Sequence, residues 1–305
     1  MVCDGLRRKG QEGGKGRRRQ EGKARNLCTE GTPKGVHGRN ECTCRNKEVI
    51  APHVHIPFNR LSEHLDLIRQ RCLNLEIYFA GEALDMITSA DLKKAKKELN
   101  HKPSLSFHAP FMDLSPGAVD SLVRNATLTR LNHMLDIAEI LEPKAIVFHS
   151  GYEKWRYALK VDWWLEKSLL TWQPINERAA SMNVKIAIEN IFEDEPSNLK
   201  MLMEGMNSTH FGICFDTGHC NLFSKVRLED WMEALNPYII ELHLHDNDRT
   251  SDQHLPVGDG TFDFGKFFYL LKNKDCIHTI EAHSPEKVIR SMENIFRLTR
   301  SSAGS

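Results

Sequence analysis

No stretch of the chain stays apolar for anything near the roughly 20 residues that span a bilayer. The longest apolar runs, Lys144–His149 and Val184–Ile191, are far shorter, which excludes a membrane-spanning helix. The amino end carries no apolar h-region, so no secretory signal is expected. Cysteine is scarce, 8 in 305 residues, and no CxxC pair occurs. That excludes a disulfide scaffold and leads us to expect a cytoplasmic protein. A Gly-rich phosphate turn is missing too, which argues against a nucleotide-binding open sheet.

Aromatics are absent from the first 48 residues, which hold 9 of the 19 glycines. The same segment carries 13 Lys/Arg against 6 Asp/Glu, a net +7, leaving 28 against 35, a net −7, for residues 49–305. So basic and Gly-rich a segment cannot bury enough apolar surface to offset its ordering entropy, and 1–48 is expected to be a disordered tail. Arg17-Arg18-Arg19 would suit a nucleic-acid arm, although such charge runs are more often solvated linkers. Glu12, Glu21 and Glu30 argue against a transit peptide. A start of translation near Val49 is the third reading. Cys28, Cys42 and Cys44 lack the spacing of a zinc finger.

From Val49 onward, short β-branched runs alternate with longer stretches of helical period. Strands are predicted at Val49–Ile56, Leu75–Phe79, Leu105–His108, Ala145–His149, Val184–Asn190, Phe211–Asp216, Ile239–His245 and Thr279–His283. Helices are predicted at Leu61–Leu73, Asp91–Leu99, Ala118–Leu141, Asp162–Met182, Leu199–Met206, Leu228–Leu235, Phe264–Lys272 and Glu286–Leu298. Eight βα units in roughly 250 residues give an α/β fold, a (β/α)8 TIM barrel over 49–300.

In such a barrel the carboxyl ends of the strands face the active site. Here they read FHAP, FHSG, IEN, FDTGH, HLHD and IEAH, with DQH in the loop after strand seven. A lone histidine there is more often a hydrogen-bonded scaffold residue. Glu189 and Glu281 weigh more, because a carboxylate at the mouth of an apolar barrel needs a cation or donors. The strand ends offer almost no Lys or Arg, but many His and Asp. His, Asp and Glu converging at one mouth favour a divalent ion: Zn, Mn, Mg or Co.

This ordered array resembles the xylose-isomerase-like TIM barrels, which also include endonuclease IV. The resemblance covers essentially all of 49–300. It implies a common metal on Glu189, Asp216, His243 and Glu281. Endonuclease IV binds three zinc ions. On that pattern His108 and His149 join Glu189 at a second ion, and His219, Asp252 and His254 hold a third. The ketose epimerases of the superfamily imply otherwise, with His219 and Arg249 contacting a sugar. One to three ions are therefore expected.

Two chemistries fit. In a sugar or sugar-phosphate isomerase or epimerase, Glu189 and Glu281 form the acid/base pair beside a metal-polarised carbonyl. In an endonuclease the ions generate a hydroxide that attacks a phosphodiester of abasic DNA. Duplex binding draws on Lys and Arg, and a −7 body disfavours it. The loop Phe111–Gly117 also looks more like the sugar isomerases. Trp155, in the mixed aromatic and basic stretch Tyr152–Tyr157, is the candidate for stacking on the sugar, against the alternative that this loop packs on the rim. The expected partner is a small-molecule sugar or sugar phosphate, with DNA only under the second chemistry. Neither a membrane partner nor an oligomeric state is read from the sequence. Trp163, Trp164 and Trp172 are expected in outer packing, and Cys214 and Cys220 in inert core positions. His53 and His55 on strand one could line the pocket, although structural roles are the commoner outcome.

Overall fold

A computed structural model describes residues 51–301. The expectations for the tail, 1–48, lie outside the described residues. Eight parallel strands close in chain order into one barrel. They are β1 His53–Pro57, β2 Asn74–Tyr78, β3 Leu105–His108, β4 Ala145–His149, β5 Lys185–Glu189, β6 Phe211–Asp216, β7 Ile239–Leu244 and β8 Ile277–Ile280. The long helices between them include α1 Leu61–Arg71, α4 Ser121–Leu141, α5 Val161–Ser181 and α10 Pro285–Ser301. Among the described residues, no helix is long and apolar enough to cross a membrane.

Period-two alternation decides which side chain goes where. On β5, Ile186 and Ile188 join the large apolar core outside the barrel, while Ala187 and Glu189 point inward. Ile213 and Phe215 on β6, and Leu242 and Leu244 on β7, repeat the outward pattern. Trp164 and Trp172 are fully buried in the same outer layer. Inside, apolar packing is limited to a small cluster of Val147, Ala187 and Cys214, with Ile240 against it.

The rest of the interior is polar. His53 Nδ1 donates to Ser106 Oγ at 2.8 Å, and Ser106 Oγ donates to Glu241 Oε1 at 2.8 Å. Thr279 Oγ1 reaches the same oxygen at 2.7 Å. Burial, and then the charge of Glu76, push the Glu241 carboxyl up to about 8, so it stays neutral at pH 7. A barrel interior is ordinarily filled with branched apolar side chains. Here inward positions carry His53, Glu76, Glu189, Glu241 and His243 instead, all buried, and that is what builds a site.

Two segments outside the predicted helices are helical. Gly81–Met86 is a short helix, α2, and Thr217–Phe223 another, α7. Asp216 caps α7, its Oδ1 accepting from the His219 amide at 2.6 Å. That cap aims His219 back over the barrel mouth. Gly218, next to it, packs against His245, and a Cβ there would meet three ring atoms at 2.1–2.7 Å.

Candidate metal centre

Glu189, fully buried at the end of β5, is the hub of the mouth. Its two oxygens face different partners. Oε2 lies 3.2 Å from His108 Nε2 and 3.3 Å from His149 Nε2. Oε1 lies 3.2 Å from His219 Nδ1 and 3.3 Å from His243 Nδ1. His243 Nδ1 is also 3.4 Å from Glu281 Oε2 and 3.7 Å from Asp216 Oδ2. One ligand atom from each of Glu189, Asp216, His243 and Glu281 lies within 4.8 Å of all the others.

The ring nitrogens test whether a cation fits. His108 Nδ1 donates to the Ala109 carbonyl at 2.9 Å, so Nε2 faces Glu189 with a proton when the ring is charged and with a lone pair when it is neutral. His219 Nδ1 donates to the Asn190 carbonyl at 3.1 Å, leaving Nε2 facing Asp252 Oδ2 at 3.5 Å. His243 gives its Nε2 proton to Glu76 Oε2 at 2.9 Å. Its Nδ1, like that of His245 and His254, is buried with no hydrogen-bond partner. Lone pairs facing carboxylates at 3.2–3.7 Å repel unless a proton or a cation lies between them. Ligands around a tetrahedral ion, with bonds near 2.1 Å, stand roughly 3.4 Å apart. The donor set fits a divalent ion.

The electrostatics point the same way. Burial would raise the Glu281 carboxyl, but the charges of His243, His55, His254 and His245 bring it down to about 2. Burial would lower His108, but the hydrogen bond to Glu189 and its charge lift it to about 9. Glu189 is likewise held well below the carboxylate range, against its burial, by His243 and His149. Negative charge is fixed at the mouth, ready to be met by protons or by an ion.

The fold brings nine sequence-derived residues together: Glu189, Asp216, His243, Glu281, His108, His149, His219, Asp252 and His254. Asp252 Oδ2 accepts from His254 Nε2 at 3.0 Å and completes the side of the site away from β3. All but Asp216 and His243 line a cleft of about 490 Å³, walled by Phe111, Tyr152, Phe192 and Phe223. Two further candidates stand elsewhere. Trp155 is 69% exposed and points off the cleft, whose wall takes Tyr152 and Arg156 from the same loop. Arg249 lines a separate hollow of about 740 Å³ beside Asn221, to which its Nε donates at 3.1 Å. Tyr157 is buried against Ser115, so the loop after β4 packs in part on the rim.

Sequence reasoning passed over Glu76 and His245 and favoured a structural role over pocket lining for His55. Glu76 Oε1 accepts from His55 Nδ1 at 2.7 Å, and His245 Nε2 lies 2.9 Å from Asp216 Oδ2. The available signal was a carboxylate at an inward position of an otherwise apolar strand, Leu75-Glu76-Ile77.

Known proteins resemble this chain in sequence or in fold. An uncharacterized protein of Methanocaldococcus jannaschii, MJ1311, is 28% identical over 195 residues, 61% of this chain and 67% of its own. The TTHB071 protein from Thermus thermophilus, solved after soaking with zinc chloride, superposes with a TM-score of 0.70. It is 26% identical over 82% of this chain and 98% of its own. A D-tagatose 3-epimerase-like protein gives the same TM-score, 0.70, at 23% identity, over 82% of this chain and 98% of its own. The xylose isomerase-like TIM barrel family is matched over residues 74–298, and the chain belongs to that family.

Proposed function

We propose that the protein is a divalent-metal-dependent isomerase or epimerase of a sugar or sugar phosphate. The observation that carries this reading is the cleft. Glu189 and Glu281 of the four-residue ligand set line it, with Asp216 and His243 fully buried beside them, its walls are aromatic, and Arg156 is the only Lys or Arg among the described residues lining it. Such a cleft, about 490 Å³, lies within the roughly 300–1,000 Å³ range of small-molecule sites. It suits a polyol that stacks on rings and shares hydroxyls with carboxylates. A polyanionic duplex would need more cations. The likeness to a D-tagatose 3-epimerase-like protein, and to a protein soaked in zinc chloride, supports the sugar and metal halves of the reading.

Glu189, Asp216, His243 and Glu281 would hold the ion. When bound, it polarises a carbonyl or hydroxyl of the substrate and makes the adjacent C–H more acidic. Glu189 and Glu281 are the acid/base pair, one removing the proton from carbon and the other returning one. His108 and His149, both within 3.3 Å of Glu189, hold its Oε2 in place. The aromatic walls exclude water from the exposed carbanion-like carbon.

A second reading has its own observation. Glu189 turns Oε2 to His108 and His149 and Oε1 to His243, as a carboxylate shared by two ions would. His219, Asp252 and His254 then form a third pocket. It is the arrangement that the resemblance to endonuclease IV implies, and it supports a phosphodiesterase reading. Metal-loaded protein should be offered a ketose panel in D2O and an abasic-site duplex side by side. Solvent deuterium in a ketose supports the first reading; duplex cleavage without any exchange overturns it.

A further inference from the structure

We propose that Glu76 is a positioning residue for the ion, one carboxylate that orients two imidazoles at once. It presents His243 Nδ1 to the ligand quartet and fixes the His55 ring at the cavity that reaches Glu281. The inference rests on the metal-dependent reading of the site. Glu76 stands at an inward position of β2 and is fully buried. Its Oε2 accepts from His243 Nε2 at 2.9 Å and its Oε1 from His55 Nδ1 at 2.7 Å.

A neutral imidazole that donates through one nitrogen offers a lone pair at the other. With an ion bound and the ring neutral, His243 therefore shows its Nδ1 lone pair to Glu189, Asp216 and Glu281, where that atom has no hydrogen-bond partner. His55 is fixed in the complementary sense. Its ring stacks on Tyr78 at 5.8 Å between centroids and lines a cavity of about 430 Å³ that reaches Glu281. A carboxylate has two acceptor oxygens and serves both rings, whereas an amide of the same shape has one acceptor and one donor. Glu76→Gln must therefore lose one of the two bonds or switch the tautomer of one ring, and where that ring is His243 a proton points into the quartet.

The test compares chelator-stripped wild type with Glu76→Gln. Calorimetry follows Zn²⁺ and Mn²⁺ binding, and ¹⁵N-histidine NMR reads the protonation of each ring. The wild type should carry the His243 proton on Nε2 in the loaded state. The variant, checked for an unchanged circular dichroism spectrum, should bind roughly 10- to 100-fold more weakly, as carboxylates behind a ligating histidine usually do. A merely structural Glu76 would lower the melting temperature and leave both affinity and tautomer alone, which overturns the proposal. If the variant does not fold, the wild-type spectrum decides, because a loaded His243 protonated on Nδ1 overturns it equally. A wild type that takes up neither ion defeats the metal reading and this inference with it. Binding by the wild type and equal binding by the variant defeats this inference alone.

Discussion

His108 Nε2 stands 3.2 Å from Glu189 Oε2, while its other nitrogen is committed to the Ala109 carbonyl. The same oxygen meets His149 Nε2 at 3.3 Å, so two rings converge on one carboxylate atom. That meeting is stable only with a proton or a cation between the atoms, and the choice governs how the protein responds to metal and to pH.

Ion content follows first. Purified protein is expected to hold at least one tightly bound divalent ion, lost in Asp216→Ala and His243→Ala. Elemental analysis of the three proteins checks this. Unchanged metal in both variants would remove Glu189, Asp216, His243 and Glu281 as the ligand set. Occupancy near three per chain would favour the phosphodiesterase reading.

Stability of the metal-free protein should depend on pH in two windows. His108 is raised from 6.5 to about 9, so its contribution is complete below pH 6.5 and fades as pH rises toward 9. Glu281 is depressed from 4.5 to about 2, so its contribution is present above pH 4.5 and lost as pH falls toward 2. An added ion displaces the histidine protons, so its affinity should rise by about tenfold per pH unit for each proton released. Thermal melts of stripped and loaded protein between about pH 6 and 9.5 measure both effects around the His108 window. A stripped protein that gains stability across that range would contradict the assignment.

Proton transfer to carbon is the test of the acid/base pair. Glu189→Gln and Glu281→Gln keep the shape of the mouth but remove a base. Deuterium incorporation into the responsive ketose should fall by about 10²-fold or more. If the protein instead cleaves abasic DNA, that activity should drop steeply as salt rises through roughly 50 to 200 mM.

Gly218→Ala probes the support of His245. The added Cβ would fall 2.1–2.7 Å from three atoms of that ring, so the ring or α7 must shift. Overpacking of this kind costs about 1–3 kcal/mol, and a chemical denaturation curve would read it. An unchanged midpoint would show that His245 moves freely, contrary to its bond to Asp216.

The loop after β4 offers a paired comparison. Arg156 lines the cleft and Trp155 does not. Arg156→Ala should raise KM for a sugar phosphate, while Trp155→Ala should change it by no more than about twofold, as exposed substitutions usually do. The reverse order of effects would favour Trp155 as the stacking residue.

The barrel was legible in the sequence because its signals are local. Alternation places Ile186 and Ile188 on one face of β5 and Glu189 on the other, whatever the rest of the chain does. The strands at Leu105–His108, Ala145–His149 and Phe211–Asp216 come out as predicted, because turn residues and apolar runs bound them closely. The helices Gly81–Met86 and Thr217–Phe223 were hidden, since they are too short for a period to register.

Residue type and chain order also placed the candidate ligands at strand ends, since those features are written into each short motif. What the chain could not encode locally is which atoms meet. Glu76 and His243 lie 167 positions apart, on β2 and β7, and become partners only because the barrel closes. Arg249, within reach of the mouth by sequence, sits at φ +69° and is drawn to Asn221 in another hollow. The chemistry available at each strand end was thus determined by sequence alone. Tertiary structure decided which nitrogen of each ring faces a carboxylate, because that depends on hydrogen bonds between distant strands.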